Sequence, residues 1–144
     1  MNVDFEKTLA ESRNYRLVHE FEKVFLVRKS TGNRTPLADH YGDPLVGLID
    51  EYEQWIITGG EGLVYFDFIR GIQEFFRKGC RPDPEQTYFV HSMRPEGEGQ
   101  VRILIDPWSG FASTWVLHVK TLALRKLRDG PSLTDEPYQD EVEY

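Results

Sequence analysis

Apolar and polar residues alternate over Tyr15–Phe21, with Tyr15, Leu17, His19 and Phe21 on one side and Arg16, Val18 and Glu20 on the other. A period of two is the signature of a strand, whose successive side chains point to opposite faces. The run Val24–Lys29 follows directly after Glu22-Lys23, so the two stretches predict a hairpin, and Ser30-Thr31-Gly32-Asn33 breaks it. Ahead of it, Asp4 followed by Phe5, Leu9 and Ala10 predicts a short helix capped by Asp4.

The turn cluster Tyr41-Gly42-Asp43-Pro44 precedes two further strands, Leu45–Ile49 and Gln54–Thr58, joined through Asp50-Glu51-Tyr52-Glu53. Gly59-Gly60-Glu61-Gly62 ends the second of them. Leu63–Phe66 predicts another strand, but Tyr65, Phe68, Ile69, Ile72, Phe75 and Phe76 recur at three- and four-residue spacing up to Gly79, which predicts that the strand passes into a helix near Asp67. Arg81-Pro82-Asp83-Pro84 opposes regular structure and reads as a connection.

Thr87–Met93 and Gln100–Ile105 pair across Arg94–Gly99, and Asp106-Pro107-Trp108-Ser109-Gly110 predicts a turn leading into a strand from Phe111 to about Val119. A helix beginning at Pro107 competes, because Trp108, Phe111, Trp115, Val119 and Leu122 also match helical spacing. A short basic helix through Leu122, Leu124 and Leu127 is expected after the strand. No internal repeat or heptad register is evident. The pattern predicts an α+β fold: a mostly antiparallel sheet of hairpins with two or three helices packed on it. Residues 1–129 form the domain, and residues 130–144, polar and acidic with two prolines, are expected to be a flexible tail that folding does not need.

At 144 residues, 40% of them hydrophobic, the chain can bury a core without covalent staples. Its single cysteine, Cys80, rules out an intrachain disulfide and points to a reducing compartment, the cytoplasm. No signal sequence or membrane-spanning run is legible. The net charge of −7 is regional: six of the 24 acids lie between Asp129 and Tyr144 with no base among them, which leaves residues 1–128 nearly neutral.

The four histidines, His19, His40, His91 and His118, are too widely spaced to bring two metal ligands together locally, so no metal site and no cofactor are expected. Gly59-Gly60-Glu61-Gly62 lacks the spacing of a phosphate or dinucleotide loop and reads as a turn. Cys80 between Lys78 and Arg81 would favour its thiolate, but no base or oxyanion pocket is signalled around it, and no catalytic residue is assigned. Two basic stretches, Arg70–Arg81 and Lys120–Arg128, would bind a polyanion only if they met on one face, and nucleic acid is not the expected partner.

The charge pattern singles out residues 35–69, which hold no lysine or arginine but seven acids interleaved with aromatics. Asp39, Tyr41, Asp43, Asp50, Glu51, Tyr52, Glu53 and Glu61 are the candidate partner-binding residues: carboxylates steer a basic protein, and rigid aromatics supply contact area. In size, acidity and lack of a catalytic signature the chain resembles the immunity proteins that neutralise bacterial polymorphic toxins, and small phage inhibitors of host defences. That resemblance is compositional and carries no residue roles. It implies an inhibitor module that masks the site of a basic or nucleic-acid-processing toxin. The alternative is a small enzyme whose pocket gathers His40 or Cys80 with carboxylates.

Overall fold

The structure is a computed structural model that describes residues 6–42 and 46–144. Its regular structure among those residues is twelve β-strands and no helix. The α+β expectation is therefore corrected to an all-β fold. The strands are β1 (Glu6–Glu11), β2 (Tyr15–Glu20), β3 (Lys23–Arg28), β4 (Arg34–Asp39), β5 (Val46–Ile49), β6 (Trp55–Gly60), β7 (Gly62–Asp67), β8 (Gly71–Phe75), β9 (Val90–Pro95), β10 (Gln100–Ile105), β11 (Ser113–His118) and β12 (Ala123–Asp129). They form three antiparallel four-stranded meanders, β1–β4, β5–β8 and β9–β12, each pairing its strands in chain order.

The second sheet stands between the other two, and its sequence shows why. Ile56-Ile57 and Leu63-Val64-Tyr65 are continuous apolar runs, as expected of strands buried on both faces. Ile56 joins Leu17, Val24, Leu26 and Leu37 of the first sheet. Its neighbour Ile57, on the opposite face, joins Tyr65, Val101, Ile103, Ile105, Trp115 and Leu117 in the larger core shared with the third sheet. Two glycines let the sheets approach this closely. A Cβ on Gly47 would lie 2.6 Å from Leu17 Cδ2, and one on Gly59 would lie 2.6 Å from Val90 Cγ1. Gly59→Ala is expected to cost about 1–3 kcal/mol by overpacking the fully buried Val90. Urea unfolding checks this, with a cost near zero meaning that the second and third sheets are not in rigid contact at β6.

Each of the expected helices is replaced for a physical reason. Residues 6–11 pair with β2 as a strand, while Asp4 and Phe5, the expected cap and first apolar contact, lie outside the described residues. The run after Asp67 is a three-residue loop, Phe68-Ile69-Arg70, followed by β8, because Gly71 at φ +77° turns the chain back so that Phe66 faces Ile72 and Leu63 faces Phe75. Phe76, at φ +61°, then swings into the core and stacks on Tyr88 at 4.8 Å. The apparent helical spacing thus came from a hairpin with apolar side chains on both faces. Leu122, Leu124 and Leu127 are likewise not helical: Leu122 sits at φ +60° in the turn, and β12 pairs with β11. Of the two readings after Pro107, the strand is the one present, as β11.

Residues 130–144 contain no strand or helix, yet they lie along the third sheet. Thr114 Oγ1 donates to Gly130 O at 2.8 Å, the Trp108 indole N–H donates to Glu136 O at 2.9 Å, and Tyr138 stacks on Trp108 with centroids 4.9 Å apart.

Candidate functional site

The acidic stretch does not form one patch. Asp39 ends β4, Tyr41 follows it, and Glu61 sits at the hairpin between β6 and β7, all around one cleft. Asp50, Glu51, Tyr52 and Glu53 form the turn between β5 and β6, at the other end of the second sheet. A six-residue strand separates the two groups by about 20 Å. Asp43 lies outside the described residues.

The cleft encloses about 700 Å³, with Phe21 and Tyr41 on its rim, Lys23 and Lys78 on its walls and His40 in its floor. His40 is 1% exposed because it follows β4 straight into the packing against β6. Its Nε2 is 2.8 Å from Thr58 Oγ1, and its Nδ1 lies 3.3 Å from Arg77 Nη1 and 3.4 Å from the Glu61 carbonyl oxygen. Burial, then the Arg77 charge, hold its pKa down at about 4. Arg77 itself is fully committed: it also donates to the carbonyls of Glu61 and Asp39 and pairs with Glu74 at 2.9 Å. Glu61, whose backbone carbonyl faces the ring at 3.4 Å from Nδ1, has its carboxylate held by Arg81 at 2.8 Å. Both nitrogens of the histidine are thus taken by the protein and the Glu61 carboxylate is paired, while Asp39, Lys23 and Lys78 also line this cleft, which has the volume of a ligand site.

At the opposite end, Glu53 is a structural residue. Its carboxylate accepts from Ser12 Oγ, from Asn14 N at 2.9 Å and from Asn14 Nδ2 at 2.7 Å, which pins the turn to the β1–β2 connection and holds the carboxyl below its ordinary pKa. Asp50 caps its own turn by accepting from Gln54 N at 3.1 Å. Glu51 and Tyr52 remain exposed. Glu53→Ala is expected to cost about 1 kcal/mol through the lost hydrogen bonds, whereas Glu51→Ala should be neutral. Chemical denaturation of the pair distinguishes them, and equal stability would mean that Glu53 does no more than its neighbour.

Beside this turn is a feature that the sequence pattern concealed. The β7–β8 loop displays Phe68 and Ile69, the latter 96% exposed, and Tyr52 of the adjacent turn is 77% exposed. Phe68 is backed by Tyr15 at 5.9 Å and by Phe66 at 5.1 Å, edge to face. The loop is rigid because Asp67 organises it: its carboxylate accepts from Tyr65 Oη at 2.7 Å, Ile69 N at 2.9 Å and Arg70 Nε at 2.7 Å. Burial works to raise the Asp67 pKa but is outweighed by these donors, led by the Arg70 backbone N–H, which set it at about 2. Burial, then Asp67, push Tyr65 to about 12. Arg70 continues across to the third sheet, donating to Lys120 O at 2.7 Å. A cavity of about 580 Å³ opens between Trp55, Phe68, Ile69, Val119 and Lys120. The helix expected past Asp67 placed Phe68 and Ile69 in its apolar spacing; the usable signal was Asp67 with Gly71 four residues on, the pattern of a short turn.

The remaining candidates stay apart. Cys80 is exposed and donates weakly to Glu74 O at 3.6 Å, outside the residues that line the cleft. Arg70 reaches Lys120, but Arg77 and Arg81 lie at the cleft, so the two basic stretches do not merge. Among the described residues no three metal-ligating side chains gather, and no helix is long and apolar enough to cross a membrane. No protein-family model matches the chain, and no curated protein does either.

Proposed function

We propose that this protein is a protein-binding module whose contact surface is the end of the second sheet formed by the two turns 50–54 and 68–70. The observation that carries the reading is Ile69, 96% exposed at the tip of a loop braced by a buried carboxylate. A side chain so exposed adds nothing to the stability of an isolated domain, whereas a rigid apolar tip with aromatic support is what anchors a protein interface. Tyr52 extends the apolar area and Glu51 supplies rim charge, which steers a partner with a basic surface. The partner class is an intracellular toxin, possessing a basic or nucleic-acid-processing site that the domain masks. An immunity-type role needs this shape and charge and no chemistry. The enzyme reading is weakened by the cleft, since His40, Arg77, Glu61 and Arg81 hydrogen-bond one another.

A photo-cross-linking residue placed at position 69 in producing cells should capture a discrete partner, while the same residue at Glu85 should not. Phe68→Ala with Ile69→Asp should then abolish capture from a reporter at position 52 with the fold intact by circular dichroism. Glu51→Lys should slow association at low salt and lose that effect above about 0.5 M, where charges are screened within a few ångströms. Capture that is equal at 69 and 85 removes this surface from the interface.

A further inference from the structure

The third sheet has a second face, and its burial needs an explanation. Cross-strand pairing puts Arg94, Arg102, Leu104, Thr114, Val116, Arg125 and Arg128 on the side opposite the core. Leu104 and Thr114 are fully buried and Val116 is 1% exposed, yet Leu104 and Val116 belong to neither apolar cluster. The segment 130–144 is what lies on this side. Arg94 sits over the Tyr144 ring at 4.6 Å and donates to Tyr144 O at 2.5 Å, and Tyr144 is itself buried. Tyr138 closes the flank against Trp108 and His91, at 4.9 and 5.9 Å.

The chemistry of the two surfaces is complementary. Residues 131–144 carry Asp135, Glu136, Asp140, Glu141 and Glu143 and no base. The face they cover carries four arginines, of which Arg102 is paired with Glu96 at 2.7 Å and Arg125 and Arg128 are exposed. Without strand pairing, the segment is held by two aromatic plugs and a few hydrogen bonds.

We propose that this face is a docking site for an acidic, tyrosine-bearing peptide, occupied in cis by residues 131–144 acting as a displaceable strap. A trans peptide of the same character competes with a tethered copy at an effective concentration in the millimolar range, so the tether suppresses its binding by about a thousandfold for a micromolar interaction.

The test keeps the native chain. A specific protease site is placed at 130–132, the full-length protein is folded and then cut, and a fluorescently labelled peptide of residues 131–144 is titrated into cut and uncut protein. Exchange into the cut protein about a thousandfold more tightly than into the uncut one, with loss of binding for the Tyr138→Ala, Tyr144→Ala peptide and for Arg94→Ala protein, is the expected result. Equal weak binding to both forms overturns the docking site. Unfolding on release of the cut segment overturns displaceability, and binding unchanged by replacing the five acids with their amides overturns the charge argument. A dimer of the uncut protein that exchanges segments between copies overturns occupancy in cis.

Discussion

Acidification from pH 7 to pH 4 is expected to remove about 3 kcal/mol of unfolding free energy through His40 alone, nearly all of it between pH 6.5 and 4. In the folded protein the ring is buried beside Arg77 and its pKa is about 4, against 6.5 in the unfolded chain. Between those values the unfolded state binds a proton that the folded state refuses, so the stability is complete above 6.5 and disappears as pH falls toward 4. Burial also lowers His91, which adds loss in the same direction. Comparing urea unfolding of the wild type and His40→Gln at pH 7, 5.5 and 4 isolates the first effect. The variant should start lower, because the buried contacts of the ring with Thr58, Arg77 and the Glu61 carbonyl are lost, and then fall less steeply. Parallel profiles for the two proteins would show that His40 titrates normally and that the cleft floor is wetter than the packing against Thr58 implies.

Asp67→Ala is expected to cost about 3 kcal/mol, because it strands Tyr65 Oη, two backbone N–H groups and a guanidinium that were satisfied by one buried carboxylate. The loss should reach past the second sheet, since Arg70 is oriented by Asp67 to bond Lys120 O on the third. It should also weaken partner binding through the loosened Phe68-Ile69 loop, by more than Glu51→Lys does at physiological salt. Tyr65→Phe is the milder control, removing one donor and leaving the others paired. With its pKa near 2, Asp67 keeps its charge throughout the range in which His40 titrates. Its contribution is present above about pH 3.8 and is lost only as the pH falls through 2, so the two effects separate on the pH axis. A stability loss for Asp67→Ala no larger than that for Tyr65→Phe would mean that Arg70 and the loop are held by something other than this carboxylate.

The hairpin pattern over 15–29 marked β2 and β3, and the paired runs 87–93 and 100–105 marked β9 and β10, because apolar, β-branched runs bounded by turn residues favour strands. The lone cysteine and the regional acidity were equally plain. What the residues could not reveal was any feature that depends on which face of a sheet meets another sheet. The segment 67–79 has apolar side chains toward both faces, and only the turn at Gly71 and the inward swing of Phe76 separate a strand from a helix of the same spacing. For the same reason Ile69 reads as core in the sequence and stands in solvent in the fold, whereas Glu53 reads as a free surface acid and is tied to Ser12 and Asn14 from another sheet. The path of residues 130–144 is set where Arg94, Trp108 and Thr114 of the third sheet and its turns meet the segment's Tyr144, Glu136 and Gly130. Local chemistry thus determined where several of the strands form and where charge accumulates, but not β1, β8 and β12. Long-range packing, which brings residues forty positions apart to within hydrogen-bond reach, decided which carboxylates are structural, which apolar side chains are offered to a partner and that the fold is all β.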